Sequence, residues 1–253
     1  MSIRIPESAP GQEAAFVAGA TGFTGREVVR SLVARGIRAI AHVRPDSPRL
    51  EEWRERLRNM GAGVDTTVWE ESAMAATLSR LGPAFVFALL GTTRARVRGV
   101  RRAGGDPARQ SYEAVDYGLT ALLIRAAKAS GAVRRFVYLS ATGTQAGSRS
   151  AYYGARWKTE ELLRSSGLPF TIARPSFIAG PGREDSRLLE RAGIVAADGL
   201  LSALAPLGGR KLRERYASMT NTELAGALTR LALDPAAENR ILEPDALRKA
   251  AVP

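Results

Sequence analysis

Apolar residues along the chain gather into short continuous runs, separated by stretches with helical periodicity. The runs cover residues 14–17, 37–43, 64–69, 84–90, 135–139 and 170–174, and the most uniformly apolar suit strands buried on both faces. Between them the spacing predicts helices over 26–34, 50–60, 72–81, 111–130 and about 155–165, with Gly36 and Gly131 as C-terminal stops. Beyond Pro181 the pattern loosens. Residues 188–207 are apolar but broken by Gly193 and Gly199, 222–233 reads as a helix with Asn221 at its N-cap, and 241–243 as a last short strand. Strands alternating with helices imply right-handed crossovers, and so an α/β fold with a doubly wound parallel sheet. Residues 1–13, with Pro6 and Pro10 and no apolar core, read as a flexible tail rather than a signal peptide. Residues 14–180 form the sheet core, and 181–253 a small C-terminal region of the same domain on the substrate side of the cleft.

The first run leads directly into Gly19-Ala20-Thr21-Gly22-Phe23-Thr24-Gly25, and a helical pattern follows. Strand, glycine-rich turn and helix is the context in which glycines cradle a dinucleotide pyrophosphate. Gly19 allows the tight turn, Gly22 lets backbone N–H groups approach the phosphates, and Gly25 lets the helix pack close to the strand. The open N–H groups and positive dipole end of that helix favour the anion. The sheet is therefore Rossmann-type, with its ligand outside the carboxyl ends of the strands. That makes the strand ends at Gly19, Arg44, Gly91, Ser140 and Pro175 the informative positions.

The net charge of +12 changes this picture only slightly. Basic surfaces attract phosphate backbones, but the excess is almost wholly arginine spread over most helices. The densest run, Arg94, Arg96, Arg98, Arg101 and Arg102, has no interleaved aromatic residue to stack on bases. No specific nucleic-acid partner is expected. The absence of cysteine excludes disulfides, thiolate catalysis and Cys-based metal sites. The single histidine, His42, lies inside an apolar run as a packed strand residue, so no metal site is expected. No stretch approaches the roughly 18 apolar residues needed to cross a bilayer, so the expected location is cytoplasmic, with no membrane partner.

These residues together resemble the atypical short-chain dehydrogenase/reductases, nearest to NAD(P)-binding proteins of the HIV Tat-interacting protein 2 and NmrA-like type. The likeness runs from about 14 to 182. It rests on the glycine turn, on Leu89-Leu90-Gly91-Thr92-Thr93-Arg94, on Val115-Asp116, and on Phe136-Val137-Tyr138-Leu139-Ser140. It continues in Lys158-Thr159-Glu160-Glu161 and in Arg174-Pro175-Ser176-Phe177-Ile178-Ala179-Gly180. The resemblance implies that Gly19, Gly22 and Gly25 bind the pyrophosphate, with Thr21, Phe23 and Thr24 in the same turn. It also implies that Gly91 and Thr92 line the adenosine side and that Ser140 and Thr142 sit by the nicotinamide. Lys158 would hydrogen-bond the nicotinamide ribose, and Pro175, Ser176, Phe177 and Ile178 would hold the carboxamide edge.

Arg44 bears on the choice of cofactor. An acidic residue at the end of the second strand would accept hydrogen bonds from the adenosine ribose and favour NAD, whereas arginine suits a 2′-phosphate. NADP is the expected cofactor, with NADPH preferred over NADH. Two positions depart from the family pattern. Trp69 stands near the point where relatives often carry an aspartate facing the adenine. The family's Tyr-x-x-x-Lys, in which tyrosine donates the proton and lysine binds ribose, would place tyrosine at 154, where this chain has Gly154. Tyr152 and Tyr153 come just before it. At about 100° per helical residue, a spacing of four leaves two side chains ~40° apart, while five and six leave ~140° and ~120°. Tyr153 reaches the face of Lys158 only if an irregular first turn at Gly154 lets it swing in. Otherwise Ser140, Thr142 or a donor from the C-terminal part must supply the acid. The candidate catalytic set is therefore Lys158, Ser140, Thr142 and Tyr153.

The expected function is that of an NADP(H)-dependent oxidoreductase acting on a small carbonyl or quinone-like compound. Two alternatives stand beside it: a non-enzymatic NAD(P)-sensing regulatory protein of NmrA-like type, and an isomerase or epimerase with tightly held NAD. The expected partner is a small-molecule substrate or another protein. The chain itself would be a monomer, or a homodimer paired through the helices at 111–130 and 155–165.

Overall fold

A computed structural model of the protein describes residues 12–92, 99–102, 104–180 and 218–252. Each apolar run contains a strand: β1 (Ala14–Ala18), β2 (Arg38–His42), β3 (Gly63–Asp65), β4 (Phe85–Ala88), β5 (Arg135–Leu139) and β6 (Phe170–Ala173). Two short strands, β7 (Ile178–Ala179) and β8 (Met219–Thr220), pair with each other, and β9 (Arg240–Leu242) closes the series. The helices are α1 (Phe23–Ala34), α2 (Leu50–Asn59), α3 (Glu71–Leu81), α4 (Thr120–Ser130), α5 (Ala151–Ser165), α6 (Asn221–Leu233) and α7 (Pro244–Ala251).

The main sheet runs β3-β2-β1-β4-β5-β6-β9 with every pair parallel. Successive strand residues point to opposite faces, so Phe16 and Val17 enter different cores. One core gathers Val17, Leu32, Leu57 and Leu228. The other gathers Phe16, Leu78, Ile124, Phe136, Tyr138 and Leu163. All of these are buried, each stabilising the fold by roughly 1.5–3 kcal/mol. The strand order steps outward from β1 to β3 on one side and from β4 to β9 on the other. The crevice between β1 and β4 is therefore the switch point where such sheets take their ligand.

Several boundaries differ from those expected. β3 ends at Asp65 because its carboxylate accepts hydrogen bonds from the Thr67 N–H (3.1 Å) and hydroxyl (2.9 Å), turning the chain away. Trp69 consequently lies beyond the strand. The long helix expected over 111–130 begins as a π-helix, Tyr112–Leu119, before it continues as α4. The helix expected from about 155 starts at Ala151, and its first turn is regular, with the Gly154 N–H bonded to Ser150 O at 2.8 Å. The irregular turn that would swing Tyr153 round is not what forms. α6 is capped by Thr220, not Asn221, in a reciprocal capping box with Glu223.

The C-terminal stretch is described from 218 to 252. There it adds β9 to the edge of the main sheet and packs α6 against α1. The apolar stretch 188–207 and nearly all of the N-terminal tail lie outside the described residues, as does most of the basic run 94–102. Among the described residues no helix is long and apolar enough to cross a membrane.

Candidate active site

The turn after β1 is closed by backbone. Gly19 has φ +86°, a conformation that L side chains rarely adopt, and a Cβ there would lie 2.5 Å from Leu89 O at the end of β4. A Cβ on Gly25 would lie 2.1 Å from Gly19 O, so only glycine lets α1 sit this close to the strand. Gly22 is the N-cap of α1 and donates its N–H to Gly19 O at 2.9 Å. No side chain caps this helix and its first turn carries no acidic residue, which leaves the positive end of α1 facing the crevice. Thr24 is buried, and Thr21 and Phe23 are half-buried in the same turn. This turn fits a dinucleotide pyrophosphate.

At the end of β2, Arg44 is 46% exposed, and its one ion pair among the described residues is with the still more exposed Asp46, 3.7 Å away. Behind it, His42 is packed between Phe16 and Trp69, and its Nε2 lies 2.9 Å from Thr67 O. Burial holds the His42 pKa below its ordinary value, against the pull of Thr67 O and Asp65. Trp69 stands edge-on to His42 with ring centroids 4.8 Å apart, and Asp65 is buried beneath at the strand end.

The ends of β4 and β5 are built differently. Arg156, on the inner face of α5 and 7% exposed, donates to Leu139 O, to Leu90 O (3.3 Å) and to Asp116 Oδ1 (2.8 Å). Asp116, from the π-helix, also accepts the Thr92 N–H at 3.0 Å. The position of a Cβ on Gly91 is 3.1 Å from Arg156 Nη2, so Gly91 and Thr92 both rest on this pair. Burial raises the Asp116 pKa, with Arg156 and the Thr92 N–H opposing. Burial also works against the Arg156 charge, but Tyr138, Tyr152 and Asp116 outweigh it and hold its pKa above the usual arginine range.

A second buried group lies beside the first. The Ser140 hydroxyl donates to Glu160, which is fully buried and takes two hydrogen bonds from Arg174, at 3.0 and 2.6 Å. Arg174 continues to Glu243 (3.0 Å), which accepts weakly from the Thr142 hydroxyl at 3.4 Å. Ser140 is thus turned into the protein, while Thr142 is half-exposed and held by its N–H to Pro175 O at 3.0 Å. Phe177, just beyond Pro175 and Ser176, is 57% exposed, and Ile178 is half-buried in β7.

The structure places Lys158 on the other side of α5. It is exposed, bonded to Glu113 at 2.8 Å, which raises its pKa, and lies over the Tyr117 ring. With Gly154 and Tyr112 it lines a cavity of about 630 Å³ between α5 and the π-helix. Tyr153 lies against the turn at Gly143, and its ring approaches that of Tyr152 at 5.1 Å. Lys158 is therefore not brought together with Ser140 and Thr142.

A family model for NAD(P)H-binding proteins matches residues 19–198. The chain belongs to this NAD(P)H-binding family. It is an atypical short-chain-dehydrogenase-like Rossmann protein, and its ligand is a nicotinamide dinucleotide. A curated relative, the ceramide reductase of Caulobacter vibrioides (strain NA1000 / CB15N), is 31% identical over 169 residues, covering 66% of this chain and 46% of that protein. The chain thus spans about half the length of that relative. Among solved structures, an NAD-dependent epimerase/dehydratase from Bacillus halodurans superposes with a TM-score of 0.65 at 19% identity, over 94% of this chain and 98% of that one. Leucoanthocyanidin reductase from Vitis vinifera, bound to NADPH, superposes with a TM-score of 0.60 at 17% identity, over 90% and 67% respectively. At these identities the two structures speak for the fold.

The Arg156–Asp116 pair, with the Tyr152 ring packed on Arg156, is not among the candidate residues that the sequence offers. A signal for Tyr152 and Arg156 is present. Tyr152 precedes Arg156 by four residues, the spacing that shares a helix face, but only lysine had been matched to the cation of the motif.

Proposed function

We propose that this protein is an NADP(H)-dependent oxidoreductase that reduces, or forms by oxidation, a small carbonyl or quinone-like compound. The observation that carries the reading is the turn at Gly19 and Gly25, where no Cβ fits, opening at the switch point beside an exposed Arg44. The first turn of α1 takes the pyrophosphate through backbone N–H groups. Arg44 takes the 2′-phosphate, since its contact with Asp46 is too long and too exposed to hold it back. Pro175, Ser176, Phe177 and Ile178 hold the carboxamide edge, and exposed Phe177 gives the substrate side an apolar contact. When bound, the cofactor supplies the hydride chemistry. Thr142, the half-exposed hydroxyl at the end of β5, orients the substrate oxygen. The name of one relative, a ceramide reductase, supports a reductase reading. The cytoplasm fits a protein that draws on a soluble nicotinamide pool, and the chain works as a monomer or homodimer.

Fluorescence titration with NADPH and NADH tests the cofactor assignment. Charge-assisted hydrogen bonds of roughly 1.5–3 kcal/mol imply at least about a tenfold preference for NADPH. Equal affinities would remove the role given to Arg44. One observation favours a second reading, an NAD(P)-sensing regulator of NmrA-like type that acts on a partner protein: Lys158 is bonded to Glu113 outside the cleft, with Gly154 four residues before it. NADPH binding without turnover of any aldehyde, ketone or quinone would select that reading.

A further inference from the structure

We propose that Asn221 is a positioning residue that sets the phosphate turn at the start of α1 and the strand β7 in register with each other. The proposal rests on the reading above that puts the carboxamide edge of the cofactor at 175–178. By its place in the sequence Asn221 reads as a helix cap, but Thr220 and Glu223 supply that cap. The Glu223 N–H donates to Thr220 Oγ1 at 3.1 Å, and Glu223 Oε2 accepts the Thr220 N–H at 2.8 Å. The Asn221 side chain, 2% exposed, is left for another use.

Its Nδ2 donates to Phe23 O at 3.3 Å, across 198 residues of chain. Phe23 opens α1 directly after Gly22, so this carbonyl belongs to the turn whose N–H groups face the crevice. A carbonyl oxygen has two lone pairs and can take such a bond beside a helical one. The same side chain also meets the end of β7. A Cβ on Gly180, where φ is +136°, would lie 2.3 Å from Asn221 Oδ1 and 3.4 Å from Phe23 Cζ. Asn221, Phe23 and Gly180 thus close on one another with no room for a methyl group. Oδ1 is buried and accepts no hydrogen bond among the described residues. A leucine would fill similar space without that unsatisfied oxygen, but it could not hold Phe23 O.

β7 needs such a tie. It pairs only with β8, Ile178 opposite Met219 and Ala179 opposite Thr220, with the Met219 N–H on Phe177 O at 3.0 Å. A ribbon of two such short strands is not held in place by its own hydrogen bonds. Met219 is buried in the core beside α1, and Asn221, two residues on, fixes the ribbon to the start of that helix. A dinucleotide that reaches from the turn to β7 then meets two walls already at the right separation, which lowers the ordering cost of binding. Without Asn221 the turn keeps its shape, because backbone contacts at Gly19 and Gly22 close it. The phosphate half would still be accepted, while β7 would lose its register against it.

The test uses the full chain with Asn221→Ala and with Asn221→Leu, which fills the space without a donor. Each is titrated with NADPH and with 2′,5′-ADP, which carries the phosphate half alone. Both variants should bind 2′,5′-ADP as the wild type does and NADPH about tenfold more weakly. Gly180→Ala should weaken NADPH too, and the double variant with Asn221→Ala should lose less than the product of the two single effects. Hydrogen exchange read by mass spectrometry supplies a measure that a general loss of stability does not imitate. In the wild type, saturating NADPH should slow exchange both at the start of α1 and across β8 and the start of α6. In the variants it should slow only the first. Unchanged NADPH affinity in both variants, equal loss of NADPH and 2′,5′-ADP, or protection of β8 that persists in Asn221→Ala would each overturn the proposal alone. A wild type in which NADPH protects α1 but not β8 fails the carboxamide reading of 175–178 first, and the proposal with it.

Discussion

At the end of β1 the cleft wall is backbone, shaped by glycines that leave no room for a Cβ. At the ends of β4 and β5 it is side chain, built from the buried charges of Arg156, Asp116 and Glu160 and the half-buried Arg174. The two halves fail in opposite ways. Added atoms break the first, because Gly19 O and Leu89 O have nowhere to go. Removed atoms break the second, because a buried charge is left without its partner. The first region is thus a fixed mould of backbone, and the second is set by which charges meet.

The largest expected effect is on the second half. Arg156→Met leaves Asp116 buried and unpaired, a cost of about 3–5 kcal/mol, or roughly 10 °C in Tm. Lys158→Met, at an exposed pair, should leave Tm where it was. Calorimetry of both variants would blur the contrast if they melted alike. Next comes Gly25→Ala, whose Cβ would meet Gly19 O at 2.1 Å. Overpacking of that kind costs about 1–3 kcal/mol, and displacing the start of α1 should weaken NADPH binding at least about tenfold. Gly154→Ala is the control: the nearest atom to its new Cβ is Ser148 O at 3.9 Å, so NADPH affinity should not change. Arg44→Ala should cost NADPH about tenfold and leave NADH affinity untouched, as read by fluorescence titration.

The smallest effect is a pH dependence behind the adenosine end. Burial depresses the His42 pKa, so the unfolded chain takes up a proton before the folded protein does. The stability that neutral His42 contributes is fully present above about pH 6.5. It is lost as pH falls from there toward the lower folded pKa, by up to ~1.4 kcal/mol per pH unit. Melting curves of wild type and His42→Gln from pH 7.5 to 5.5 should diverge in that direction. Parallel curves would mean that His42 is protonated as easily in the fold as outside it.

The same contrast explains what the sequence disclosed. A backbone-built site writes itself into glycine spacing, so the turn from Gly19 to Gly25, the strand at Arg135–Leu139 and the parallel sheet were all readable. The charge-built half depends on where α5 begins, four residues before the start that the hydrophobic pattern suggests. Ser150, Tyr152, Tyr153 and Gly154 carry no apolar periodicity, so the pattern alone starts α5 at 155, where the helix begins at Ala151. The π-helix that carries Asp116 leaves no local mark in the hydrophobic pattern, which reads as one ordinary helix over 111–130. Pro244 at the first position of α7 is a local start signal that hydrophobic pattern alone does not carry. Asp65, by contrast, ends β3 through a side-chain turn that hydrophobic pattern alone does not reveal.

The measurement that tests the account most directly is a crystal structure with NADP⁺ bound. The account predicts the pyrophosphate against the first turn of α1 at Gly22, the 2′-phosphate on Arg44, and the nicotinamide ribose over the ends of β4 and β5. A dinucleotide whose phosphates avoid that turn, or whose nicotinamide lies beside Lys158 on the outer face of α5, would contradict it.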